Sequence, residues 1–122
     1  MSTVDPRFAA YLPHIRRRWL AEQASWRDRR ARAWEAARRA AALLRGQYGA
    51  ATVLAFGSLT GEGQYDADSD IDLAVSGIPP GKFFRAWADA GNVTGEFDLD
   101  LIDLLDCGPV LLAKISADGK SL

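Results

Sequence analysis

Thr52-Val53-Leu54-Ala55-Phe56-Gly57-Ser58, an eleven-residue loop over 59–69, then Asp70-Ile71-Asp72-Leu73-Ala74-Val75 form the stretch that decides the fold. The first five residues are short, apolar and β-prone, and read as a buried strand. Gly57-Ser58 ends that strand. Glycine lets the backbone approach a ligand closely, and a serine hydroxyl with free backbone N–H groups can hold phosphate oxygens. Asp70–Val75 reads as a second strand. Side chains alternate between faces, so Asp70 and Asp72 share one face while Ile71, Leu73 and Val75 share the other. Two like charges on one face repel unless something positive lies between them. A divalent cation with oxygen ligands, Mg²⁺ or Mn²⁺, answers that need better than zinc does.

A third strand is expected over Phe97–Leu104, reading Phe97-Asp98-Leu99-Asp100-Leu101-Ile102-Asp103-Leu104. A mid-strand carboxylate is costly unless it is paired or metal-bound. Asp100 is the most central, Asp98 is the alternative, and Asp103 suits the rim. An Asp-x-Asp pair alone is common, and in isolation it usually marks a solvated surface. The order of strand, Gly-Ser turn, polar loop and carboxylate pair is the more specific signal.

Outward from this stretch, residues 7–48 are rich in alanine and arginine and read as one long helix. Pro13 falls in the first turn of the main helix or separates it from a short leading one, and Gly46 or Gly49 can end it. Apolar positions recur at Leu12, Ile15, Trp19, Trp26, Ala33, Ala37, Ala40 or Ala41, Leu44 and Tyr48, a helical stripe interrupted near Glu22-Gln23 and Arg29-Arg30. Ala33–Tyr48 suits close packing on the chain's own sheet, and Leu12–Trp26 is expected to bury its tryptophans against another chain. Lys82–Ala90 fits a short helix with Phe83, Phe84 and Trp87 on its apolar side, broken by Gly91–Gly95. Pro109–Ala117 fits a last helix. The result is an α/β (α+β) layer fold, a small mixed sheet with helices packed on one side, in a single domain over 1–122. Residues 1–48 would form a helical arm and residues 50–122 the catalytic core.

Composition narrows the chemistry. The chain has 122 residues, 48% hydrophobic and 25% charged, with one cysteine and one histidine. No intrachain disulfide is available, and most zinc and Ser-His-Asp constellations are excluded unless His14 serves. His14, among Arg16, Arg17 and Arg18, reads as solvated. Cys107 reads as a small, partly buried side chain. No apolar run would span a membrane and the N-terminus lacks a signal peptide's pattern, so a cytoplasmic location is expected. The net charge of -1 hides a division, +7 over residues 1–50 and -8 over 51–122. The arginines spread round the helix, as on a solvated face. Nucleic acid is the less favoured partner, because Trp19 and Trp26 fall on the apolar stripe instead.

Leu54–Ser58, Ser69–Leu73 and Leu99–Leu104 together resemble the polymerase-beta-type nucleotidyltransferase superfamily, most closely its minimal, antitoxin-like group. The resemblance covers about residues 52–105. It implies that Asp70 and Asp72 are paired metal ligands and that Asp100 is the third carboxylate. Gly57 and Ser58, with Ser69, would bind ATP. It further implies Mg²⁺-dependent transfer of AMP to a hydroxyl, on a small helical HEPN-type toxin partner. The alternative is a non-catalytic module of the same fold that masks a partner or scaffolds an oligomer through the N-terminal helix. The family turn is often followed by a basic residue, whereas Leu59-Thr60-Gly61-Glu62 carries none. Lys82, Arg85 or an arginine of the long helix is expected to supply that charge.

Overall fold

Alanine and arginine sustain the long helix, and alanine also decides where it packs. In the computed structural model, which describes residues 11–122, helix α1 spans Leu12–Tyr48. The expected start at residue 7 lies outside the described residues. Ala33, Ala36, Ala37, Ala40, Ala41 and Leu44 are buried, steps of three and four that make one face. Gly46 stays inside the helix. Gly49 ends it at φ 72°, with its N–H donating to the Arg45 carbonyl and that of Ala50 to Leu44.

Strand β1 (Thr52–Phe56) follows, then a 3-10 turn over Gly57–Thr60. Strand β2 is Ile71–Ser76, helix α2 is Phe83–Val93, and strand β3 is Leu99–Asp103. Helix α3 covers Pro109–Asp118, and a two-residue strand β4, Lys120–Ser121, closes the chain. The sheet order is β3-β2-β1-β4. β1 runs antiparallel to β2 and β4, while β2 and β3 are parallel, so the sheet is mixed. α2 supplies the crossover that a parallel pair requires.

The two faces of the sheet have different neighbours. Val53, Ala55, Ile71, Leu73, Val75 and Leu101 form the main core with the alanine face of α1 and with Ala86 and Ala90 of α2. Phe56 and Ala74 point the other way, where they pack with Ile115 of α3, and Leu54, Ile102 and Leu111 border them. Asp72 and Asp100 share the parity of Ala74 and Ile102, so they belong to the α3 face.

Four readings need correction. Gly91 does not break α2, which continues to Val93 and stops where the Thr94 hydroxyl meets the Gly91 and Phe97 carbonyls. Phe84 is not on the inward side: it is 76% exposed and stacks on Trp87, whereas Phe83 and Trp87 pack on the core. Trp26 packs against the chain's own core and is partly buried there, so it is not a free anchor like Trp19. The second strand starts and ends one residue later than expected and the third is shorter, leaving Asp70 and Asp98 just outside them. Trp19, by contrast, is exposed along with Tyr11, Leu12, Ile15 and Leu20. No helix of the described residues is long and apolar enough to cross a membrane.

Candidate active site

Antiparallel pairing brings the Gly57 turn to Asp72. Phe56, the residue before the turn, is the cross-strand partner of Asp72. Gly57 has φ 71°, a conformation that L side chains rarely adopt. A Cβ added there would lie 2.5 Å from Asp72 Oδ2. Glycine is therefore required twice, by the backbone angle and by the carboxylate beside it. On the other side of Asp72 the parallel register pairs it with Asp100. Asp72 thus lies between the turn and Asp100.

The charges agree with that placement. Burial first, then Asp100 and Asp70, push the Asp72 carboxyl above its ordinary value, and Lys114 pulls it back down. Asp72 is half-buried, while Asp70 and Asp100 are exposed. A half-buried carboxylate crowded by two neighbouring ones suits a divalent cation with oxygen ligands. The fit lies in the backbone register and the charge. As the side chains stand, no three acidic, histidine or cysteine residues among those described are grouped to hold a metal ion. Asp70 and Asp100, being exposed, are not fixed by packing.

The other carboxylates are placed differently. Asp103 accepts the Leu105 N–H at 3.0 Å and caps the 3-10 turn of Leu104–Asp106. Asp98 is exposed, and its carbonyl accepts the Ile71 N–H at 2.9 Å. Ser69 closes a turn, its hydroxyl accepting the Asp66 N–H at 3.1 Å. Cys107 borders the smaller apolar cluster, and exposed His14 lies 3.4 Å from an Arg17 nitrogen.

Two residues that the pattern did not single out hold the walls of the site. Tyr65 is fully buried, and its hydroxyl donates to the Asp70 carbonyl at 2.9 Å. Burial above all pushes its phenol up to about 12; Asp72 and Asp70 push the same way, and Arg29 and Arg30 oppose them. Arg30 reaches across from α1. It donates to the Gly63 carbonyl at 2.7 Å and to the Ser58 carbonyl at 3.4 Å, and it lies 5.3 Å over the Tyr65 ring. Arg29 similarly lies 4.8 Å over Phe97. The break in the apolar stripe at Arg29-Arg30 is where α1 passes over this loop. A lone tyrosine in an otherwise polar loop was the available signal for Tyr65.

The expected sources of compensating charge divide. Lys82 and Arg85 lie beyond the far end of β2, which leaves Asp72 for four residues, about 13 Å of strand. Arg30 does reach the turn, through its carbonyls.

A turn seated against a strand carboxylate, with a second carboxylate in register on the next strand, sits here on the minimal nucleotidyltransferase fold. No protein-family model matches the chain, and no curated protein sequence does. Solved structures match. A chain of a toxin–antitoxin complex with AMP-PNP aligns at TM-score 0.59 and 25% identity, over 70% of each chain. A chain of the complex between tri-AMPylated Shewanella oneidensis HEPN toxin and MNT antitoxin aligns at TM-score 0.56 and 22% identity, over 72% of this chain and 69% of that one. A chain of the MntA-HepT toxin-antitoxin structure aligns at TM-score 0.54 and 22% identity, with the same coverage. These likenesses establish the fold.

Proposed function

We propose that the protein is a nucleotidyltransferase that moves AMP from ATP to a hydroxyl of a partner protein, a small helical toxin of the HEPN type. The observation that carries this reading is the Gly57 turn lying against Asp72 with Asp100 in register beside it. The solved neighbours support it: one complex contains AMP-PNP and another an AMPylated toxin.

In this reading Asp70, Asp72 and Asp100 hold a divalent cation, Mg²⁺ or Mn²⁺. When bound, the ion neutralises charge on the triphosphate and polarises the α-phosphorus. Gly57 and Ser58 present backbone N–H groups and a hydroxyl to the phosphates, with Ser69 at the other end of the loop. Asp100 takes the proton of the acceptor hydroxyl. The hydroxyl oxygen bonds to the α-phosphorus, the bond to the bridging oxygen breaks, and pyrophosphate leaves. Arg30 and Tyr65 keep the turn and Asp70 facing each other. The exposed stripe Tyr11, Leu12, Ile15, Trp19 and Leu20 is the surface for the partner.

The test is incubation with ATP labelled at the α-phosphate, a divalent cation and the protein encoded beside this one. Label on the partner, lost with Asp72→Asn, is the expected result. Partner binding with no label from the wild type would replace this reading with that of a masking module of the same fold.

A further inference from the structure

The carboxylate face presents a charge problem. Asp100 and Asp70 already crowd Asp72 with negative charge, and a nucleoside triphosphate brings several further negative charges. The turn that would hold its phosphates carries no basic residue between Leu59 and Glu62.

Residues 51–122 contain four basic side chains, Lys82, Arg85, Lys114 and Lys120. Lys82 and Arg85 open α2 at the opposite end of β2. Lys120 pairs with Ala55 and therefore takes the α1 face, where it lines a surface hollow with Trp34 and Arg38. The guanidinium of Arg30 is engaged by the loop carbonyls. Lys114 differs from all of these. It is on α3, directly before Ile115, which packs on Phe56 and Ala74. Phe56 leads into the Gly57 turn and is the cross-strand partner of Asp72. α3 also packs on β1 and on that turn. The topology thus puts Lys114 on the carboxylate face, beside the turn, with its side chain exposed.

We propose that Lys114 grips the polyphosphate end of the nucleotide, supplying from α3 the positive charge that the Gly57 turn lacks. Its action on the Asp72 carboxyl agrees with this position. A flexible ammonium with three donors suits a phosphate chain whose charge changes as pyrophosphate leaves. The proposal rests on the nucleotidyltransferase reading and refines where its substrate is held. A contact with the outer phosphates favours ATP over AMP, so Lys114 would set that preference.

The experiment is calorimetric titration of ATP and of AMP, each with Mg²⁺, into wild type, Lys114→Gln, Lys114→Arg and Lys120→Gln. The expected result is ATP affinity lowered roughly tenfold or more by Lys114→Gln, as for loss of one charge-assisted phosphate contact. AMP affinity stays level, Lys114→Arg recovers most of the loss, and Lys120→Gln matches wild type. Wild-type ATP affinity retained in Lys114→Gln overturns this proposal and leaves the parent reading standing. A wild type that binds no ATP overturns both. Equal losses for ATP and AMP, or a lowered melting temperature in Lys114→Gln, would assign the residue a structural role instead.

Discussion

Replacing Gly57 with alanine should destabilise the fold through two separable effects. At φ 71° an L side chain costs about 1–2 kcal/mol in backbone strain alone. The new Cβ would also stand 2.5 Å from Asp72 Oδ2, closer than any ordinary contact, and relieving that overlap costs about 1–3 kcal/mol more. The total, roughly 2–5 kcal/mol, is a large share of a small domain's stability. Asp72→Ala removes the offending oxygen, and the nearest remaining atom would be the residue-72 Cβ at 3.6 Å, an ordinary contact. In that background Gly57→Ala should cost only the backbone strain. Urea unfolding of the two single variants and the double variant at pH 7 gives the cycle directly. A coupling of about 1–3 kcal/mol is expected, and a value below about 0.5 kcal/mol would refute the contact between turn and carboxylate.

Other consequences can be measured on the same material. Because Asp72 is raised, its protonated form favours the fold. That stability is full below the ordinary carboxylate value and is lost as pH rises through the raised one. Asp72→Asn should therefore melt higher than wild type at pH 7, with the advantage gone at pH 3; a variant that melts lower at pH 7 contradicts the crowding of carboxylates. Tyr65→Phe should cost about 1 kcal/mol for the lost bond to the Asp70 carbonyl, read by urea unfolding. In wild type, Tyr65 contributes stability up to about pH 10 that disappears by about pH 12, so ultraviolet titration should show a late-ionising tyrosine that Tyr65→Phe removes. Trp26→Ala should destabilise the isolated chain, whereas exposed Trp19→Ala should change it by less than about 0.5 kcal/mol while weakening capture of the partner. Equal effects of the two on stability would remove the exposed stripe from the account.

Much of this geometry was legible because strand alternation is strict. One apolar strand, one Gly-Ser turn and one Asp-x-Asp strand let the turn and the carboxylate pair face each other across neighbouring strands, and the pairing of Phe56 with Asp72 picks out Asp72. The parallel register of Asp72 with Asp100 lies beyond sequence pattern, since it depends on how α2 carries the chain back to the site edge. α2 itself was misjudged at Gly91, where an open surface leaves glycine no cost beyond its own flexibility, and at Phe84, where an aromatic stacks outside on Trp87. β4 escaped notice because two residues carry no periodicity; its pairing is set by α3 delivering Lys120 beside Ala55. Trp26 shares the apolar stripe of Trp19, and the pattern does not show that the loop under α1 adds buried Tyr65, or that Phe97 extends the core on which Trp26 packs. Arg30 and Lys114 could not be singled out among fifteen basic residues until the faces of the sheet were known.

Asp72, beside the Gly57 turn, is proposed to form a metal–nucleotide site with Asp70 and Asp100. Titration of Mn²⁺ into the protein with and without ATP, followed by water-proton relaxation, tests it most directly. Wild type should bind Mn²⁺ and ATP together more tightly than either alone. Asp70→Asn, Asp72→Asn and Asp100→Asn should each lower that affinity at least about tenfold, as loss of a charged ligand does, and Asp103→Asn should not. Mn²⁺–ATP binding unaltered in Asp72→Asn, or lost equally in Asp103→Asn, would contradict it.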